Sequence, residues 1–447
     1  MQITAAEIRM ISFLYALIMK YPLNPTINFK NHPRIIRFIR LTVLICLLCP
    51  GTFLLSGCSA QVKDPVCGRD FVLNTDCSIT IYELENTAGS EKPLSTSEFE
   101  EEAASLIEEG FDLCRDYEMI FSRTNPEAEL YLLNHRIAED IAGNSASCGN
   151  SDTSAESFFI SQPLCELISF GLPWCEASGG TFDITIAPLS DLWNFSAPEP
   201  VVPSDADIRK ACEMVDYRNI SVAAVSDSDS IRHSQPSSDS GSSPDSAAAS
   251  ASIPSGACIL SFSSPDTQVD LGALAKGYIA DRLCDDLKEN GVTSAVINLG
   301  GNIVCIGEKP SESGGVFRKL LSEDNTEKDS EPFHIGVQDP LSSSSASVMT
   351  LSLSDCAVST SGINQRNFTQ DGVFYHHILD PRTGYPVDNG LASVTIISSS
   401  SAKADALSTV CFCLGQEKGI ALLDTIPDSE GIFISTKGEI TASAGRE

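Results

Sequence analysis

The stretch Val269-Asp270-Leu271-Gly272-Ala273-Leu274-Ala275-Lys276-Gly277-Tyr278 opens a helix, and the order of elements downstream of that helix decides the fold class. Leu274, Tyr278, Ile279 and Leu283 share one face, and this spacing predicts a helix over Leu274–Asn290. Strand-like stretches come next at Ser294–Asn298, His334–Gln338, Val348–Leu353 and Leu391–Ser398, before a second helix at Ala402–Leu414. Strand succeeds strand without an intervening helix. That order predicts an α+β protein rather than a doubly wound parallel sheet.

Upstream, Phe71–Leu84 alternates like a strand near Ser78–Tyr82, and helical spacing recurs at Phe99–Phe121, Gln162–Ser178 and Ser204–Val215. Ala142–Ser157 reads as a small polar loop. Ser226–Ser255 is almost entirely Ser, Asp, Ala, Gly and Pro, and it lacks the apolar surface that would offset its ordering entropy. It is expected to be a disordered insertion in a surface loop, with Ile220–Val225 and Cys258–Phe262 pairing as a hairpin around it. Glu308–Pro332 is a second polar insertion.

The chain has 447 residues, 29 basic and 60 acidic, for a net charge of −31. Residues 1–57 hold six basic side chains and one acidic, so the remainder carries −36. Such a body repels phosphate instead of releasing counterions from it, which argues against nucleic acid as a partner. Any phosphate-rich ligand would need a metal beside it.

Arg34, Arg37 and Arg40 precede an apolar run from Leu41 to Leu55 that is interrupted by Thr42, Pro50, Gly51 and Thr52. The run is short for a membrane span of about 20 residues and has the plan of a secretory signal. It ends in Leu55-Ser56-Gly57-Cys58, which resembles the bacterial lipobox. The expectation is a lipoprotein signal over 1–57, a lipidated Cys58 and tether over 58–69, and one domain over 70–440. The protein would then sit at the cell membrane, lipid-anchored on the extracytoplasmic face. Of 16 cysteines, 13 remain beyond Cys46, Cys49 and Cys58. Their odd number and irregular spacing argue against a disulfide framework, and none has zinc spacing with histidine.

Four stretches combine residues that core packing does not require. Gly179-Gly180-Thr181-Phe182-Asp183 reads as a turn capped by an Asp. Lys276 lies in a helix first turn, where it opposes the dipole, although a helix N-terminus suits an anion. His376 and His377 precede the turn-forming Asp380-Pro381 and Thr383-Gly384, so one of them is a candidate base. Asp405 and Thr409 are i and i+4 on a helix, a carboxylate and a hydroxyl on one face, as Mg²⁺ prefers.

Taken in order, these motifs resemble the ApbE family of flavin transferases. The match runs through Leu73–Thr75, Phe121–Arg123 with Leu133-Asn134, Phe182–Leu189, Asp270–Tyr278, Asn298–Ile303, Thr360–Gly362, His376–Pro386 and Ala404–Thr409. The resemblance implies a mixed α/β fold with a predominantly antiparallel sheet and packed helices. It implies transfer of FMN from FAD to a threonine of an acceptor protein, with AMP released. Alternatives within that resemblance are a Mg²⁺-dependent FAD pyrophosphatase and a non-catalytic FAD-binding lipoprotein. By the same resemblance Ala273, Asp405 and Thr409 bind Mg²⁺. Leu73, Thr181, Phe182, Asp183, Asp270, Lys276 and Leu379 line the FAD site, and His377 is the base. The implied acceptor is an extracytoplasmic flavoprotein subunit of Rnf-like type with a Ser/Thr-Gly-Ala-Thr site. One departure stands out: where the family often has a Tyr, this chain has Thr124. The chain's own nearest acceptor-like stretch, Ile253–Cys258, has Cys258 at the modified position, which argues against self-modification.

Overall fold

A hairpin starts the main sheet. β1 (Val66–Val72) and β2 (Thr75–Leu84) pair antiparallel around Leu73 and Asn74, whose φ angles are +56° and +57°. Two successive left-handed residues are what a tight two-residue hairpin turn requires. Asn tolerates this conformation, whereas for Leu it costs roughly 1–2 kcal/mol. The Leu73 N–H donates to Glu118 Oε2 at 3.3 Å, which helps hold the strained residue.

The computed structural model describes residues 63–85, 94–137, 156–224, 258–311, 330–342 and 346–443. The signal, Cys58, the serine-rich segment 226–255 and most of the insertion 308–332 lie outside these residues. The helices are α1 (Thr96–Phe121), α2 (Glu129–Asn134), α3 (Gln162–Ala177), α4 (Ala187–Trp193), α5 (Asp205–Cys212), α6 (Ala275–Glu289), α7 (Ser401–Leu414) and α8 (Gln416–Leu423). The further strands are β3 (Glu156–Ile160), β4 (Ile220–Ala224), β5 (Cys258–Phe262), β6 (Val292–Leu299), β7 (Asn302–Ile306), β8 (Lys309–Pro310) and β9 (Ser330–Glu331). They continue with β10 (Phe333–Gln338), β11 (Ser347–Leu353), β12 (Cys356–Gly362), β13 (Asn367–Gln370), β14 (Val373–His376), β15 (Leu391–Ser398), β16 (Ser429–Ser435) and β17 (Ile440–Ala442).

The main sheet has the order β1-β2-β6-β7-β12-β15-β16-β17, with every neighbouring pair antiparallel. This is the expected α+β class. One face carries α1, α6 and α7, which bury Ile79, Ile81, Phe99, Ile107, Leu283 and Ile297 in the largest core. The β10–β11 hairpin covers the other face, setting Phe333, Val337, Leu351 and Leu353 against Val358, Ile397 and Ile432. β15 lies between the two layers, so all eight of its residues are buried.

β4 and β5 pair in the predicted hairpin, from Ile220 opposite Phe262 to Ala224 opposite Cys258. β3 joins β5 on the other side, so the end of the stretch read as a loop, Glu156-Ser157, is strand. The two ends of the polar insertion also pair, as β8 with β9.

The cysteine reading needs a correction. Cys165 on α3 and Cys258 on β5 form a disulfide across 93 residues of sequence. An odd count does not exclude a single bridge, and the two partners share no local spacing. The described residues hold ten further cysteines.

Candidate functional site

The site lies where the first turns of α6 and α7 cross. Gly277 permits that crossing: a Cβ there would stand 2.5 Å from the Ser401 carbonyl oxygen and 2.7 Å from both Ala402 Cα and Asp405 Cβ. With the helices this close, the Gly277 N–H donates to Asp405 Oδ2 at 3.0 Å. In a regular helix that N–H would close the turn on the Ala273 carbonyl. Its diversion leaves the Ala273 carbonyl outside the helical ladder.

Asp405 is 5% exposed, and its Oδ1 accepts from the Ser359 hydroxyl at 3.0 Å. One turn on, Thr409 Oγ1 lies 2.8 Å from the Ser361 hydroxyl, which is also 2.8 Å from Ser408 Oγ. Ser359 and Ser361 are two apart on β12, so their side chains leave the sheet on the same face, toward α7. Asp405 and Thr409 offer hard oxygens one turn apart on α7, and the Ala273 carbonyl offers another at the start of α6. No cluster of three or more His, Cys, Asp or Glu residues suited to a metal occurs among the described residues.

The loop before α6 is held by side chains from other elements. Asn134, 7% exposed, clamps Val269, donating to its carbonyl at 2.8 Å and accepting from its N–H at 2.7 Å. The next residue, Asp270, accepts from the Gly272 N–H at 2.9 Å and pairs with Arg123 Nε at 2.9 Å. Arg123 also pairs with Asp191 on α4. The Lys276 ammonium donates back to the Gly272 carbonyl at 3.2 Å, across the first turn. That local bond accounts for a cation tolerated at a helix N-terminus.

The two histidines separate cleanly. His376 is 6% exposed; its Nε2 donates to the Val387 carbonyl at 3.1 Å, and its Nδ1 accepts from the Ile378 N–H at 3.3 Å. Its ring stands edge-on to Phe412 of α7. Both nitrogens therefore serve the scaffold, and burial pushes its pKa down. The His377 ring has a buried Nδ1 with no hydrogen-bond partner. Burial, followed by the positive charge of Arg366, His376 and Lys276, holds His377 down to about 4. The ring is neutral at pH 7 and lies within electrostatic reach of Lys276.

The remaining residues singled out in the sequence act mainly on the protein. Asp183 accepts from the Thr185 N–H and hydroxyl at 2.8 and 2.6 Å with one oxygen, and from the Tyr217 N–H at 2.9 Å with the other. Burial raises its pKa while these bonds oppose the rise. Thr181 donates its hydroxyl to the Ser178 carbonyl at 3.1 Å, and Phe182 is buried in the main core. Leu379 lies in a satellite core with Leu189, Trp193 and Ile208, and its backbone bridges to Pro386. Leu73 packs against the main core from the strained hairpin turn. Thr124 is exposed beside Ser122.

Sequence reading missed Ser359 and Asp281. The Asp281 carboxylate, on α6, meets the N-terminus of α7. Nothing local marks it as different from the other acidic residues of that helix.

The ApbE family model matches residues 73–433. An FAD:protein FMN transferase of Treponema pallidum (strain Nichols) is 29% identical over 407 residues, covering 91% of this chain and 93% of the relative. A protein of the same name from Klebsiella pneumoniae (strain 342) is 29% identical over 340 residues, covering 76% and 85%. Among solved structures, the flavin transferase ApbE of Vibrio cholerae superposes with a TM-score of 0.59 at 23% identity, covering 85% of this chain and 97% of that one. With the match running from the first hairpin to β16, the chain belongs to the ApbE family.

Proposed function

We propose that this chain is an FAD:protein FMN transferase that moves FMN from FAD to a threonine hydroxyl of an acceptor protein and releases AMP. The observation that carries this reading is His377. Its companion His376 is committed to the scaffold, while His377 keeps a ring nitrogen without a hydrogen-bond partner. A storage protein needs no such base. The relatives that match over most of the chain bear the transferase name.

The donor set fits Mg²⁺. Asp405, Thr409 and the Ala273 carbonyl are hard oxygens, and the carbonyl is outside the helical ladder because Gly277 donates elsewhere. A single carboxylate suits a cation that takes its other ligands from substrate phosphates and water. When bound, Mg²⁺ neutralises pyrophosphate charge that a body of net −36 otherwise repels.

The chain's own residues supply the rest. Lys276, at the α6 N-terminus, adds positive charge where the pyrophosphate lies. The acceptor hydroxyl attacks the phosphorus of the FMN half, and the bond from that phosphorus to the AMP oxygen breaks. The hydroxyl proton passes to His377 and AMP departs.

A lipid anchor at Cys58, an extracytoplasmic location and an Rnf-like acceptor belong to the same proposal. The N-terminal charge pattern supports the first two, and the Cys165–Cys258 disulfide supports the second, because such bonds persist in oxidising compartments. The test incubates the full chain with FAD, Mg²⁺ and a domain carrying a Ser-Gly-Ala-Thr site. AMP release with a matching mass gain on the acceptor is expected. AMP with free FMN and an unmodified acceptor replaces transfer with pyrophosphatase activity, and no AMP at all refutes both.

A further inference from the structure

α6 and α7 cap one another. The Gly277 N–H of α6 donates to Asp405 of α7 at 3.0 Å. One turn further along α6, Asp281 returns the contact. Its Oδ1 accepts from the Ser401 N–H at 2.7 Å, and its Oδ2 accepts from the Ala402 N–H at 3.0 Å and the Ser400 hydroxyl at 2.8 Å. Ser400 is the N-cap residue of α7, and its hydroxyl also accepts from the Lys403 N–H at 3.2 Å.

The register is matched. Residues 277 and 281 are four apart, as are 401 and 405, so on each helix one turn separates giving from receiving. The first N–H groups of a helix lack partners within it, and a carboxylate there is favoured by the dipole. Asp281 therefore does more than fill a cap. It grips the end of α7 at three donors, while Gly277 holds Asp405 one turn away. Sliding α7 along its axis or rotating it would break both contacts together. Thr409, one turn beyond Asp405, moves with them.

We propose that Asp281 is a positioning residue for the metal and pyrophosphate site. It fixes the register of α7 against α6, so that Asp405 and Thr409 face the Ala273 carbonyl. This rests on the assignment of Mg²⁺ to those three donors. In this proposal Asp281 acts through α7, whose N-terminus its two oxygens hold, and not as a ligand. Residues that orient ligands from behind typically change metal affinity about 10–100-fold when removed.

The experiment uses the full chain and reads metal binding apart from turnover. Mg²⁺ is titrated in the presence of FAD, and the rise in melting temperature is tracked; FAD binding in EDTA is measured separately by flavin fluorescence. Asp281→Ala is expected to raise the half-saturating Mg²⁺ concentration at least tenfold, with FAD binding in EDTA within about twofold of the original. Asp281→Asn, which keeps one acceptor oxygen, is expected to fall between. If Asp281→Ala does not fold, Asp281→Asn and Ser400→Ala carry the test, each expected to raise the half-saturation by a smaller factor. A lowered melting temperature with unchanged Mg²⁺ half-saturation in the variants overturns the positioning role and leaves only a structural cap. No Mg²⁺ response in the unaltered chain overturns the metal reading, and the proposal with it.

Discussion

Replacing Gly277 by Ala tests the helix crossing directly. Gly277 has ordinary helical backbone angles, so Ala adds no backbone strain there. In an unobstructed helix Ala would stabilise by about 0.8–1 kcal/mol over Gly. Here the added Cβ meets Ser401 O at 2.5 Å and two further atoms at 2.7 Å, where ordinary contact starts at 3.4 Å. The helices must part by about 0.7–0.9 Å, because two of the three atoms are backbone and the third is a Cβ, none of which can rotate away. Overpacking of this kind costs about 1–3 kcal/mol, which outweighs the propensity gain. The functional effect is larger than the stability effect. The parting pulls the Gly277 N–H off Asp405 and shifts α7 against α6. A misplacement near 1 Å costs on the order of 10²-fold in rate. The assay pairs a melting curve with Mg²⁺-dependent AMP release from FAD. The expected result is a melting temperature lower by a few degrees and a rate lower by about two orders of magnitude. A variant that melts higher and turns over normally would refute the crossing and the metal assignment built on it.

Three other substitutions have expected outcomes. Asp405→Ala removes the one carboxylate of the donor set, so the Mg²⁺-dependent thermal shift should vanish; a retained shift places the metal elsewhere. His377→Gln should keep FAD binding and slow transfer about 10²–10⁴-fold, the usual worth of a general base. Because burial holds His377 down to about 4, below its ordinary 6.5, the folded state binds fewer protons than the unfolded one between those values. Its contribution to stability is present above pH 6.5 and lost as pH falls toward 4; His377→Gln should flatten that slope in acid melts. Cys165→Ser opens a loop of 93 residues and should cost about 4–5 kcal/mol on the chain-entropy model, read as the denaturant midpoint. An unchanged midpoint in oxidised samples would show that the bridge does not form.

Much of the fold was legible because its signals are local. The reading placed α6 and α7 to within a residue or two, since α6 buries one apolar face and α7 is a run of small and apolar residues buried on nearly every side. The β4–β5 pairing was readable from two short strands on either side of a serine-rich segment. β3 and β16 escaped notice. The first is short and abuts a polar stretch, and the second, Ser-Glu-Gly-Ile-Phe-Ile-Ser, carries too few alternating positions to declare itself. β12 was visible only through its Thr-Ser-Gly end, so the roles of Ser359 and Ser361 went unread.

Sequence alone determined the order of the motifs, the α+β class and the shared face of Asp405 and Thr409, because helix and strand periods depend only on neighbours along the chain. Tertiary structure decided what depends on closure across long separations. It joined Cys165 to Cys258, committed His376 to Val387 and left His377 without a partner for Nδ1. It also turned Asp281, one acidic residue among several on α6, into the cap of a helix 120 residues away. A hydrogen bond is won or lost over less than an ångström, and no pattern of residue types specifies position that finely until the core has packed.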